Sequence, residues 1–459
     1  MPLLSGKPIR LMVFLAAASG LGILARPQPR QTALTMWVCA DTNARTYRDP
    51  QPGGGPSLMD QFEARTGNSV VVDLIAFRGL DARLTSLFMS QSDAAVPDVV
   101  EIEIGSVGKY FRAPIDEVGF LPLNNFLFRS GMLDRIVASR LAPWSKRGVI
   151  FGVPSDLHPV TLTYRKDLFD QAGVDLEAPR TWPEFQDACL KYQQYWADHG
   201  VPGRRAMELY TATPDLLITM LLQRHVNLVD GNDRLHLSDA RVAETLAIYA
   251  QMIAGPKCIG IDTGPGAGLP FRDMVDGRIA CLLTPDWRVG YLKQYAPELA
   301  GKVRMRALPI FIPGDSTTST WGGTMMGIPR RAKNPEVSWQ LIQFVSMSKE
   351  GLIARYNHSM ILSPVKDSWK DPIYQQPDAF FGGQKVEELF ISLGPDVPVR
   401  FMTPNSVTAQ TALALVLNKA FEYVKAHNGP DGLDDACAVW LDEATAEVHQ
   451  WIEHGSFGQ

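Results

Sequence analysis

Between Leu34 and Ile104 the chain alternates three β-branched runs with two stretches of helical period, and few folds accommodate that alternation. Leu34–Ala40 reads as a strand and is followed by a Gly/Pro-rich loop from Pro50 to Pro56. Ser57 is placed to cap the helix Leu58–Thr66, which Gly67 closes. Ser69–Phe77 reads as a second strand. Leu80, Leu84, Leu87 and Phe88 recur at helical spacing within Leu80–Ser90, Pro97-Asp98 stops that helix, and Val99–Ile104 reads as a third strand. Strands joined through helices run parallel, so this region predicts a parallel sheet covered by helices on both faces.

A second region of the same kind begins near Phe151–Tyr164. Thr181-Trp182-Pro183-Glu184 is a capping box with proline in the first turn, and it predicts a helix to about Trp196. Leu216–Gln223, Ala240–Ala254, Pro335–Ser346, Val407–Ala426 and Cys437–Glu453 also read as helices, and Ile279–Leu283, Val303–Phe311 and Met325–Pro329 as strands. At 459 residues the chain is too long for one compact core.

The amino terminus reads as an address. Lys7 and Arg10 precede fifteen uncharged residues, Leu11–Ala25, and Arg26-Pro27 ends the run. A bilayer span needs roughly twenty residues, so residues 1–30 are expected to be a signal peptide or a signal-anchor. The net charge is −5, although the first thirty residues carry four basic groups and no acid. An acidic chain without a basic block is a poor binder of nucleic acid, and none is expected as a partner. The five cysteines, Cys39, Cys189, Cys258, Cys281 and Cys437, show no metal-type spacing. Buried small hydrophobes are expected, with Cys258 and Cys281 as a pair that an oxidising compartment would allow to join.

Motifs for chemistry are missing. There is no G-x-x-x-x-G-K-[ST], no G-x-G-x-x-G after a strand, no H-E-x-x-H and no G-x-S-x-G. Asp230-Gly231-Asn232-Asp233 lacks the later ligands of a calcium loop and reads as a turn. No enzyme activity, cofactor or metal is expected. Trp37, Trp287 and Trp321, in contrast, stand beside polar or glycine residues at strand ends, where open α/β sheets place ligands. Sugars offer C–H faces to aromatic plates and hydroxyls to polar side chains, so a cleft with both would suit a carbohydrate.

Four stretches carry a family resemblance. They are Leu58–Gly67 with Pro97-Asp98-Val99-Val100; Gly152-Val153-Pro154 running through Tyr164–Phe169 and Ala172-Gly173 to Thr181–Phe185; Asp286-Trp287 with Tyr295–Glu298; and Trp321-Gly322-Gly323 leading through Ile328-Pro329 to Ala332–Pro335. In this order and spacing, over about 35 to 425, the chain resembles the extracellular solute-binding proteins of bacterial ABC importers, in the carbohydrate-binding group similar to maltose-binding protein. The resemblance implies an α/β, two-lobed periplasmic-binding-protein fold, each lobe a mainly parallel sheet flanked by helices, joined by crossing hinge strands. Lobe 1 would hold 32–157 and 314–370, and lobe 2 would hold 158–313 and 371–459 with the C-terminal helices. It further implies a monomer in the periplasm that binds a sugar or oligosaccharide between the lobes, closes by hinge rotation and delivers it to the permease subunits.

Ligand-binding candidates transfer by position: Asp41 and Asn43 after the first strand, Arg78 after the second, Glu103 and Ser106 after the third, and Asp156 and His158 near the hinge. Tyr210, Asp286, Trp287 and Arg288 would come from the second lobe, with Trp321, Gly322 and Gly323 returning in the first and Arg400 and Phe401 before the last long helices. Ile104-Gly105 stands where some relatives carry an aromatic or acidic residue, which argues against a malto-oligosaccharide site of the usual kind. Two alternatives remain at this level. One keeps the fold with a phosphorylated polyol or other non-sugar solute, drawing on Arg78, Arg288 and Arg400. The other is an exported carbohydrate-active enzyme with Glu103 and Asp156 or Asp286 about 5–10 Å apart.

Overall fold

The computed structural model describes residues 33–456, apart from 91–92, 94 and 265–268. The export segment expected over residues 1–30 lies outside the described residues. Ten strands build two five-stranded sheets: β1 (Ala33–Val38), β2 (Ser69–Leu74), β3 (Val99–Glu103), β4 (Val153–Pro154), β5 (Val160–Arg165), β6 (Met207–Leu209), β7 (Gly260–Asp262), β8 (Cys281–Pro285), β9 (Val303–Arg306) and β10 (Thr324–Gly327). The first sheet has the order β2-β1-β3-β10-β4, and the second β9-β5-β8-β6-β7.

The helices begin where the caps are. Ser57 accepts from the Asp60 N–H at the start of Leu58–Thr66, and Gly67 closes that helix with φ 74°. Thr181 and Glu184 form the expected capping box at the head of Trp182–Asp198. Leu34, Met36 and Val38 of β1 are fully buried with Leu58, Phe62, Val99 and Leu341, which gives the first lobe its core. Around the second sheet, Leu162, Trp182, Met207, Leu246, Leu283 and Leu413 are all fully buried in one cluster. Each such side chain contributes roughly 1.5–3 kcal/mol relative to its exposed state.

The two-lobed α/β expectation holds, and each sheet is mainly parallel, with four of its five strands running the same way and one reversed. β1 runs parallel to β2 and β3, whereas β10 is antiparallel to both β3 and β4. In the second sheet β5 is antiparallel to β8 and β9, and β6 is parallel to β7 and β8. The reason is the crossing itself. β10 returns from the second sheet as an insertion between β3 and β4, and no local helical crossover dictates its direction.

Between the sheets the chain crosses at 155–159 and again at 307–323, and these segments lie antiparallel, bridged at Pro159 and Thr320. The Val160 N–H donates to the Ser319 carbonyl at 3.1 Å. A third segment joins them where the Leu157 N–H donates to the Leu362 carbonyl at 3.0 Å. Gln223, fully buried, holds the second crossing down: its amide donates to the Pro309 and Ser316 carbonyls and accepts from the Trp182 indole.

Candidate functional site

The crossing segments bring together residues that are far apart in sequence. Asp156, 1% exposed, is bound by Arg140 Nη2 at 2.5 Å, by the Thr324 N–H at 2.7 Å and by His158 Nε2 at 3.2 Å. Burial alone would raise the Asp156 pKa, but the positive charges of His158 and Arg140 overcome it and hold the carboxyl far below its usual range. On its other side His158 Nδ1 lies 2.5 Å from Asp286 Oδ1. Asp286 is fully buried and also accepts from the Trp287 and Leu362 N–H groups, both at 2.8 Å.

His158 therefore carries a proton at neutral pH. Burial works against the charge, yet Asp156 and Asp286 outweigh it and lift the pKa to about 9. Its backbone is left-handed, with φ 53°, immediately before Pro159. That conformation costs a non-glycine residue on the order of 1–3 kcal/mol and is held only where the surroundings demand it. Here the two carboxylates supply the demand.

Gly322 and Gly323 lie against this cluster with φ 84° and 144°. A Cβ on Gly323 would stand 2.5 Å from Arg140 Nη2, so only glycine lets the second crossing pass. Deeper in the first sheet, Glu101 is fully buried, accepts from Tyr47 at 3.0 Å and from Thr324 Oγ1 at 3.1 Å, and faces Arg355.

On the second-sheet side the Arg288 guanidinium is pinned to Glu208 at 2.9 and 3.2 Å and to the Leu283 carbonyl at 2.8 Å. The Tyr210 hydroxyl donates to the same carboxylate. Arg288 also stacks on the Trp321 and Phe271 rings, each centroid 5.3 Å away. Trp321 meets Trp287 edge to face, with centroids 5.4 Å apart, and the Trp287 indole N–H donates to the Trp321 carbonyl at 3.0 Å. Both indoles are half-buried, and so present part of their surface outward.

A third group straddles the sheets. Glu103 ends β3 and accepts from the Gly105 N–H at 2.8 Å; burial raises its pKa, and Asp215 and Asp156 add to the rise against Gly105 and Arg400. Arg400 is 8% exposed, with Glu103 and Asp215 as the charges nearest to it in effect. Burial lowers its pKa, and among the described residues its guanidinium makes no ion pair or hydrogen bond.

The remaining candidates stand apart from these clusters. Asp41 is exposed and paired with Arg45 at 2.8 Å in the helix Asp41–Arg48, and Asn43 is buried on the same helix. Arg78 is exposed near the start of Phe77–Met89. Ser106 is buried and hydrogen-bonds Asp81, which Tyr110 and Lys109 also hold, so it ties down that helix. Phe401 packs on Gly231. Arg140, Glu101, Glu208 and Asp215 were missed, because no local motif marks a residue whose partners are supplied by other elements. Of the cysteines, Cys189, Cys281 and Cys437 are buried as expected, while Cys39 and Cys258 are half-buried. All five thiols are free, and Cys281 adjoins Cys189 in the second core, not Cys258.

The sequence profile described as bacterial extracellular solute-binding protein matches residues 57–382. The chain belongs to that family. It is 24% identical over 374 residues to an arabinooligosaccharide-binding protein of Halalkalibacterium halodurans, covering 80% of this chain and 79% of the other. It is also 24% identical over 322 residues to a lactose-binding protein of Rhizobium radiobacter, covering 68% and 72%. Its fold is similar to that of the GacH receptor of Streptomyces glaucescens, with TM-score 0.69, 16% identity and coverage of 92% and 99%. The sugar-binding protein MalE of Xanthomonas citri is equally similar, with TM-score 0.69, 18% identity and the same coverage. Among the described residues no group of His, Cys, Asp or Glu could hold a metal ion, and no helix is long and apolar enough to cross a membrane.

Proposed function

We propose that this family member is the receptor of an ABC importer, binding an uncharged oligosaccharide between its lobes and handing it to the membrane permease. The observation that carries the reading is the Trp287–Trp321 pair, set beside charges that already cancel. Arg288 is neutralised by Glu208, while Arg140 and protonated His158 face Asp156 and Asp286. Among the described residues Arg400 makes no ion pair, and Glu103 and Asp215 are the negative charges that act on it most. A phosphate ester or sugar acid needs surplus positive charge, and Arg288, Arg140 and His158 are already spent on carboxylates. A neutral sugar needs aromatic faces with polar donors and acceptors, which Trp287 and Trp321, Arg400 as donor and the half-buried Glu103 as acceptor provide.

Delivery would follow by hinge closure at the crossings near 155–159, 307–323 and 362. In this reading lobe 1 holds 32–157 with 314–370, and lobe 2 holds 158–313 with 371–459. The receptor would act as an exported monomer. No reaction is part of this reading: Asp156 and Asp286, the proposed partners of Glu103 in a hydrolase, are both committed to His158.

Thermal unfolding against arabino-oligosaccharides, lactose, maltose, sugar phosphates, polyols and amino acids tests the reading. A neutral sugar at a hundred times its Kd should add about 2.7 kcal/mol, a shift of a few degrees at this size. Stabilisation by a phosphate ester or an amino acid alone would overturn the ligand class.

A further inference from the structure

The loop from Val397 to Asn405 touches both lobes within five residues. Asn227, beside the second core, donates to the Val399 carbonyl and accepts from the Phe401 N–H, both at 2.9 Å. Phe401 also covers Gly231, where a Cβ would come within 3.0 Å of its ring. One residue later the loop belongs to the other lobe. Met402, 3% exposed, is buried among Trp37, Leu80, Val107 and Phe111, all packed around the first sheet.

Thr403 then lies directly on the helix Val107–Tyr110. A Cβ on Gly108 would be 2.2 Å from the Thr403 carbonyl oxygen and 2.9 Å from its carbon, so the loop backbone seats in the space that the missing side chain leaves. The Ser406 hydroxyl accepts from the Thr403 N–H at 2.9 Å and turns the chain back into Ser406–His427, whose Ala409, Leu413 and Leu417 are buried in the second core. The loop is thus rooted in the second lobe at both ends while its tip is inserted in the first.

We propose that this loop is a latch: the lobes cannot separate until Met402 leaves its apolar socket and Thr403 leaves Gly108, so these two contacts set the balance between open and closed forms. The inference does not depend on which solute is bound. A binding-competent form that is less populated weakens the apparent affinity in proportion, so weakening the latch lowers affinity, and Arg400 in the same loop would add to that loss.

Small-angle scattering of the full chain without sugar, with Met402→Asp and Gly108→Ala beside the wild type, tests it. An aspartate cannot sit in the socket, and the added methyl displaces the Thr403 backbone. Both variants should show a larger radius of gyration than the wild type with unchanged far-UV circular dichroism. Calorimetry with arabino-oligosaccharides reads the second consequence, an apparent Kd at least fivefold weaker. A larger radius in Met402→Asp supports the latch, since that side chain leaves both cores intact if the loop opens, and the weaker Kd counts for it only beside that change. An unchanged radius in folded Met402→Asp overturns it, whatever the affinity. Should no sugar bind even the wild type, scattering alone decides: a larger radius supports the latch and an equal one overturns it.

Discussion

His158 and Asp286 are 128 residues apart in sequence and 2.5 Å apart in space, and their contact joins the first crossing segment to the head of the helix that follows β8. With Asp156 on its other nitrogen, the imidazolium is a clamp at the junction of the lobes. Its pKa is raised from 6.5 to about 9. The stabilisation is therefore complete below pH 6.5, declines between 6.5 and 9, and is gone above that. The shift corresponds to about 3 kcal/mol. Wild-type Tm should fall across this window, and His158→Gln should start lower at pH 6.5 and lose most of the slope. An identical slope in the variant would place the titration elsewhere.

Gly323→Ala brings a methyl to 2.5 Å from Arg140 Nη2 at a backbone φ of 144°. The substitution must displace Arg140 from Asp156 or move the second crossing. A loss of about 3 kcal/mol or more is expected in urea unfolding, in keeping with a broken buried ion pair. Gly314→Ala, also at positive φ but with open space around it, should cost less and serves as the comparison.

Glu208→Gln leaves the Arg288 charge buried, with 3% of the residue exposed. Removing one partner of such a pair typically costs about 3–5 kcal/mol, whereas removing both costs far less. Glu208→Gln should therefore melt earlier than the double variant Glu208→Leu with Arg288→Met. The reverse order would mean that Arg288 contributes mainly through its stacking on Trp321 and Phe271.

Trp287→Ala removes one aromatic plate and the hydrogen bond to the Trp321 carbonyl. Affinity for the sugar found in the thermal survey should weaken at least tenfold, about 1.4 kcal/mol, with secondary structure retained. Calorimetry showing an unchanged Kd would remove Trp287 from the site.

Arg400→Gln keeps a donor at the junction of Glu103 and Asp215 but deletes the charge. For a neutral sugar the loss should be modest and nearly independent of salt. An affinity that collapses, with steep salt dependence in the wild type, would instead point to an anionic solute.

Much of the architecture follows from local rules that act within a few residues. The capping boxes at Ser57 and Thr181, the glycine stop at Gly67 and the alternation from Leu34 to Ile104 are short-range, so helices and the parallel core of the first sheet are legible in the chain. The positions of Asp286-Trp287 and Trp321-Gly322-Gly323 are legible as strand-end clusters for the same reason. Tertiary structure alone decided the rest. The antiparallel entry of β10, the joining of Arg140 and Asp286 to Asp156 and His158, the pairing of Glu208 with Arg288, and the seat of Met402 and Thr403 on the first lobe all join residues more than a dozen positions apart. Nothing local carries such contacts: a buried charge is stable only beside a partner, and which segment supplies that partner is settled when the crossing strands bring the two lobes together.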